Sequence, residues 1–373
     1  MYKNFILPAS LLAATIIGAG IFSLPYVFVK AGLVTGLFYL ILFTAVLILI
    51  HLMYADVILR TESKHLFTGY AELYLGKAGK WLAAMTTILG MILIMTAYLV
   101  LSANFINLML PSLDIAYRIL LFWVLSSIPI FWGVKRLAAS EFLTTIGVIF
   151  IISLIFFYGA GSFVKVAATP LFNMTYLFLP YGAVLFSLSG RTAIPALIHY
   201  FDKNHEPERR AKKAIIWGTL LPAFLYLIFV IGIINLPGTI SEDTVSGLMG
   251  NLPQWFLLLV GALGLISLWD TYAMVGRDIR KSLEADFGFN DNFAGTLVAV
   301  SPLILYFAGL KNFMDLVGLV GGVFIGLESL FIVLIWQKAK KLNPRDGLLR
   351  KIPAFIPYLL LIIFIIGILL EIK

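Results

Sequence analysis

The sequence predicts an all-α integral membrane protein. Eleven spanning helices are expected, ten of them in two five-helix units of opposite orientation, with the eleventh outside that repeat. Three observations carry this reading. The chain of 373 residues is 61% hydrophobic and 12% charged, a balance no soluble domain of this length has. Apolar runs recur along its whole length, each near the roughly 20 residues that cross a bilayer as a helix. Two of these runs carry the same interruption, a glycine followed five positions later by a proline: Gly20 and Pro25 in GAGIFSLP, Gly190 and Pro195 in SLSGRTAIP.

The first run, Phe5–Val29, is too long for a signal peptide and continues past Pro25 with no cleavage site, so it reads as a span. Leu33–Leu59 follows without interruption, and Trp81–Leu110 is long enough to require tilt. Between them, Leu66, Tyr70 and Leu73 fall at helical spacing, with Phe67, Ala71 and Tyr74 beside them. That pattern predicts a short interfacial helix over His65–Gly76. Ile115–Val134 and Leu137–Ala160 complete the first unit, about 5–160. The second unit, about 176–337, comprises Tyr176–Tyr200, Ala214–Leu236, Pro253–Ile279, Phe293–Leu310 and Phe313–Trp336. Pro353–Leu370 is the extra helix, and the whole of 1–373 reads as one transmembrane domain.

Basic residues fix the orientation. With a cytoplasmic N-terminus, the inner loops hold Lys3, Arg60, Lys64, Lys77, Lys80, Lys135, Arg136, Lys203, Arg209, Arg210, Lys212, Lys213, Arg277, Arg280, Lys281, Lys338, Lys340, Lys341, Arg345, Arg350 and Lys351. The outer side holds only Lys30, Arg118, Lys165, Lys311 and Lys373, which is the positive-inside pattern and puts the C-terminus outside the cytoplasm. The longest outer loop, Pro237 to Asn251, carries Glu242 and Asp243 and no Lys or Arg. The net charge of +8 is therefore a topology signal, and no nucleic-acid partner is expected. There are no cysteines, and His51, His65, His199 and His205 are scattered with no HExxH motif. Thiolate chemistry is excluded, a zinc enzyme is not indicated, and no metal site is assigned. No nucleophile–base constellation and no ring-forming filter motif appears, so neither an enzyme nor a channel is indicated.

Glycine loosens a helix, and proline removes an amide donor. Unpaired backbone cannot face lipid, so such breaks persist only where they line a protein cavity. Paired breaks in two halves of a membrane protein point to a transporter's binding site. A broken helix offers N–H groups at one new end and carbonyls at the other, which suit a carboxylate and an ammonium respectively. An α-amino acid carries both. Gly18, Ala19 and Gly20 are small enough for a ligand to approach the main chain, and Ser187 and Ser189 can add hydroxyl contacts.

GAGIFSLPYVFVKAG resembles the first membrane segment of amino-acid permeases of the amino acid–polyamine–organocation superfamily. The likeness is nearest to the hydroxy/aromatic amino acid permeases and the amino acid/auxin permeases. HLMYADVILRT with GYAELYLGKAGKW, FSLSGRTAIPAL and LVGGVFIGLESLFI have the same character, and eleven spans match that family. The resemblance implies the leucine-transporter fold, with a 5+5 inverted repeat. It implies that Gly18, Ala19 and Gly20 face the substrate carboxylate, Ser187, Ser189 and Gly190 its amine, that Phe186 closes over it, and that Tyr98 approaches the carboxylate. The first and sixth segments would rock against a scaffold of the third, fourth, eighth and ninth. Sodium-coupled relatives use first-segment carbonyls, here Ala14 and Ile17, and hydroxyls on the eighth segment. Here that segment offers Ser267 and Thr271 but no adjacent hydroxyl pair, and the fifth segment lacks the lysine of some proton-coupled relatives.

Charges in hydrocarbon are costly and are functional suspects by default. Arg191 sits at the second break, Asp270 in the eighth segment, Glu328 in the tenth, and Asp56 near the inner end of the second. Asp56 reads as structural. Arg191 needs a carboxylate, which Asp270 or Glu328 can supply, and Asp270 is the favoured proton carrier. The expectation is an amino-acid symporter for a neutral or aromatic substrate. It would be driven by H+ or Na+, hold no resident cofactor, lie in the cell membrane among lipid, and work by alternating access. A non-transporting sensor on the same fold is the other reading.

Overall fold

The computed structural model describes residues 5–131, 134–159, 164–203, 208–344, 347–349 and 352–372, with backbone alone over 134–145, 164 and 202–203. Lys3, His205, Arg345, Arg350, Lys351 and Lys373 lie outside the described residues. So do the side chains of Lys135, Arg136 and Lys203.

Among the described residues every regular element is helical. Helix α1 is two pieces, α1a (Leu7–Ile16) and α1b (Leu24–Ala31). They are followed in chain order by α2 (Leu33–Arg60), α3 (Phe67–Met109), α4 (Ile115–Ser127) and α5 (Val134–Gly159). Helix α6 is again two pieces, α6a (Pro180–Leu188) and α6b (Ile194–Lys203). Then come α7 (Glu208–Asn235), α8 (Gln254–Phe287), α9 (Asp291–Phe307), α10 (Phe313–Leu342) and α11 (Phe355–Glu371). Six of the described helices are long and apolar enough to cross a membrane, and the bent α1 pair makes a seventh. The shorter apolar helices Ile115–Phe131, Ile146–Gly159, Asp291–Phe307 and Phe355–Glu371 fall on the remaining predicted spans. The protein is a multi-pass membrane protein.

The glycine–proline punctuation has a local cause. The backbone of Gly18 is extended at φ −132°, which stops α1a; a 3-10 turn over Ala19–Ser23 then reorients the chain by 48°. Pro25 falls in the first turn of α1b, where a missing N–H costs nothing. The second break repeats this. Ser189 is extended, Arg191–Ala193 form a 3-10 turn, and Pro195 is the second residue of α6b.

Hydrogen bonds group the helix ends. Arg60 donates to the Asn343 carbonyl at 2.7 Å, Thr68 to Asp286 at 2.7 Å, and Lys212 to the Leu348 carbonyl at 3.2 Å. The ends of α2, α8 and α10 and the starts of α3 and α7 therefore share one end of the bundle, which is rich in Lys and Arg. At the other end, Asn104 of α3 bonds to Asp243, and Asn312 donates to Glu242 at 3.2 Å. That is the acidic end.

Two local expectations change. A short helix is present there, beginning at Phe67 rather than His65 and ending at Gly76, whose φ of 81° separates it from the rest of α3. However, Phe67, Tyr70, Ala71 and Tyr74 turn into the protein, at i, i+3, i+4 and i+7, while Leu66 and Leu73 are exposed. The inward face packs Phe67 and Tyr70 edge-on against Tyr54 of α2. Leu319–Ile325 within α10 is a π-helix, which the sequence did not announce. There Gly321 lies against the Gly182 carbonyl, so close that a Cβ would overlap it. Asp56 is structural in the sense expected but fully buried: it accepts from Arg60, Trp336 and the Leu348 amide, each at 2.8 Å. These bonds fasten α2, α10 and residues 347–349 together.

Candidate functional site

Each break frees carbonyls that a continuous helix would have paired. Hydroxyls satisfy several of them. Ser23 donates to the Gly20 carbonyl at 2.7 Å, and the Ser187 hydroxyl, with one proton to share, lies 2.9 Å from that carbonyl and 2.6 Å from the Ala183 carbonyl one turn back in α6a. Tyr226 of α7 places its hydroxyl 2.7 Å from the Ile16 carbonyl and 2.8 Å from that of Ser187. Thr244, in the loop between α7 and α8, donates to the Phe22 carbonyl at 2.6 Å. The two breaks are thus stitched to each other and to their surroundings, as backbone at membrane depth requires.

A cavity opens beside them. Its lining includes Gly18, Ala19 and Gly20 from the first break and Phe186, Ser189 and Arg191 from the second. Tyr98 of α3 and Ser267, Asp270 and Thr271 of α8 complete the middle. Thr87 of α3, Asp278 of α8 and Glu328 of α10 carry the cavity on toward the basic end. Toward the acidic end the route is filled. Phe22 stacks edge-on against Phe105 and Phe229, with ring centroids 5.0 and 5.6 Å away; all three are buried, and Thr244 holds the Phe22 carbonyl.

The sequence-derived candidates divide accordingly. Gly18, Ala19, Gly20, Tyr98, Phe186 and Ser189 share the cavity, as do Ala14, Ile17, Ser267, Asp270, Glu328 and Arg191. Ser187 and Gly190 are not among the lining residues. Ser187 turns its hydroxyl to carbonyls, and Gly190 packs where a Cβ would come within 2.5 Å of Ile16 and 2.9 Å of Leu12. Arg191 finds its carboxylate in Glu328, with its guanidinium 4.6 Å from the centroid of the Phe67 ring. Thr271 donates to the Ser267 carbonyl at 2.9 Å. Among the described residues no group of three or more His, Asp or Glu could hold a metal ion. The sequence reading missed Tyr226, Thr244 and Asp278. Tyr226 lies four residues beyond Pro222 in α7, and nothing local distinguishes it from the other tyrosines.

The profile of the tryptophan/tyrosine permease family matches residues 1–269. The chain belongs to that family. It is an amino-acid permease rather than an enzyme. Solved structures agree on the fold. The permease is similar to MhsT in complex with L-phenylalanine, with a TM-score of 0.70 at 15% identity, covering 100% of this chain and 97% of that one. It is similar to Mhp1, a nucleobase-cation-symport-1 family transporter in a closed conformation with bromovinylhydantoin bound (TM-score 0.64, 16% identity, 98% and 90% covered). A manganese transporter mutant from Eremococcus coleocola matches with a TM-score of 0.64 at 11% identity, covering 100% and 86%. The permease therefore has the leucine-transporter fold. Among curated proteins the sequence has no match.

Proposed function

We propose that this permease is a secondary-active symporter for an aromatic amino acid, tryptophan or tyrosine. It would carry its substrate across the cell membrane by alternating access, driven by a proton or sodium gradient. The observation that carries this is the meeting of both helix breaks at one cavity that is filled toward the acidic end. Family membership supplies the substrate class, and the apolar and aromatic walls formed by Phe186, Phe324, Met91 and Ile94 suit an aromatic side chain. The main chain at Gly18–Gly20 would take the carboxylate and the Ser189 region the amine, with Tyr98 beside the carboxylate and Phe186 above the ring. Ala14, Ile17, Ser267, Asp270, Arg191 and Glu328 would serve the driving ion. The basic end would face the cytoplasm, with the N-terminus inside and the C-terminus outside, and the cavity is then that of a carrier open toward the cell interior. Segments α1 and α6 would rock against α3, α4, α8 and α9.

Uptake of radiolabelled tryptophan, tyrosine and phenylalanine into proteoliposomes tests this, with a pH gradient or a sodium gradient imposed separately. Accumulation under one gradient alone names the ion. Binding with no accumulation under either gradient favours a non-transporting sensor. Neither binding nor uptake overturns the aromatic amino-acid assignment.

A further inference from the structure

The two helix pieces that present carbonyls to the centre of the protein are α1a and α6a, and one side chain touches the end of both. Tyr226 is fully buried, with its hydroxyl 2.7 Å from the Ile16 carbonyl and 2.8 Å from the Ser187 carbonyl. Its placement follows from α7. Gly218 lets that helix lie directly on α1a, since a Cβ there would come within 2.9 Å of the Ala9 carbonyl and 3.0 Å of Leu12. Eight residues further, roughly 12 Å along the helix, Tyr226 reaches the level of the break.

A tyrosine hydroxyl has one proton, so it makes one full hydrogen bond while two carbonyls compete for it. We propose that the Tyr226 hydroxyl is the positioning group that sets the spacing of the two breaks. It turns its single proton between the Ile16 and Ser187 carbonyls, so neither helix end can drift without losing a shared donor. Ile16 lines the cavity, so a change in this spacing is felt directly at the substrate site. Without the donor, two buried carbonyls lie close together with nothing between them, and their mutual repulsion parts the helix ends. Tyr226 touches no substrate in this scheme; it acts through the backbone that does. The inference rests on the transport reading given above.

The test exchanges the hydroxyl without changing the ring. Tyr226→4-aminophenylalanine supplies two N–H donors at the same place, whereas Tyr226→4-methylphenylalanine supplies the same bulk and none. Uptake of tryptophan and tyrosine by proteoliposomes is measured for both, with Tyr226→Phe and unaltered protein alongside. Tyr181→Phe is the control, because the buried Tyr181 hydroxyl has no hydrogen-bond partner among the described residues. The expected result is a KM raised by about tenfold or more in the methyl and Phe variants, with kcat changed far less, and a KM near the unaltered value in the amino variant and in the control. Equal KM values for the amino and methyl variants, or equal failure of both, overturn the proposal. Absence of uptake by the unaltered protein instead overturns the transport reading on which it rests.

Discussion

Gly20 lies directly against Ser187: a Cβ on Gly20 would come within 2.6 Å of the Ser187 Cα and 2.9 Å of its hydroxyl oxygen. The glycine of the first break is therefore the contact point between the two breaks as well as part of the cavity wall. Backbone cannot yield there as a flexible side chain would. Gly20→Ala is expected to lower thermal stability by about 1–3 kcal/mol, the usual range for overpacking. Gly20→Leu should abolish uptake. Detergent-extracted protein melted in parallel with uptake assays checks both, and a Gly20→Leu variant with normal uptake would show that the breaks need not touch.

Gly18 behaves differently. Its φ of −132° is ordinary extended backbone, and an added Cβ would meet only the Tyr98 hydroxyl at 3.5 Å and a Thr271 methyl at 4.0 Å. Gly18→Ala should therefore fold and melt like the unaltered protein. The methyl would nonetheless project into the cavity beside the expected carboxylate position. A KM several-fold higher at unchanged stability is the expected outcome. An unchanged KM would place the carboxylate elsewhere.

These two glycines show how far the sequence could be read. The glycine–proline spacing located both breaks, because the conformational effect of each residue is local. The same glycines could not be ranked from sequence, since their neighbours, Ser187 and Tyr98, are distant in the chain. Ser187 was a candidate amine ligand by its place in the motif. Its hydroxyl lies within hydrogen-bond reach of the Gly20 carbonyl at the first break and of the Ala183 carbonyl one turn back in its own helix, a placement visible only once the chain is folded. The interfacial helix was found by period, but its inward face was not, because Tyr54 and Arg191 decide which side is buried. Tyr226 and Thr244 carried no signal at all. Each serves a carbonyl contributed by another part of the chain.

Arg191 and Glu328 form an ion pair whose side chains are 9% and 12% exposed. Removing one partner strands the other charge in a poorly hydrated site. Arg191→Met and Glu328→Gln should each destabilise the protein by about 3–5 kcal/mol, whereas Arg191→Met combined with Glu328→Met should recover much of that loss. Transport separates a structural pair from a functional one. If the pair only holds α6b to α10, the double variant regains uptake with its stability. If the charges serve the driving ion, the double variant is stable and inactive. Melting and gradient-driven uptake on the same preparations distinguish the two.

Thr244 is buried and has φ +63°, a left-handed conformation that a β-branched residue adopts at a cost. What it gains is the 2.6 Å bond to the Phe22 carbonyl, just past the first break. Its neighbour Asp243 holds the loop by accepting from the Ser241 and Ser246 hydroxyls, at 2.6 and 2.7 Å, and from Asn104. The two effects at Thr244 oppose each other, so substitutions can separate them. Thr244→Gly removes the strain and the bond together, and its stability should change by less than about 1 kcal/mol. Thr244→Val keeps the branching and removes the hydroxyl, so it should lose about 1–3 kcal/mol. In Thr244→Val the loop is released from the Phe22 carbonyl, and Phe22 loses that tether. A cysteine in place of the buried Ser23, next to Phe22, leaves the three rings intact, and its accessibility to a thiol reagent reads this out, because the chain has no cysteine of its own. Labelling should be faster in Thr244→Val than in Thr244→Gly, since only the former combines a lost bond with a strained backbone that relaxes when the loop lifts. Equal rates would mean that the Asp243 bonds alone hold the loop closed.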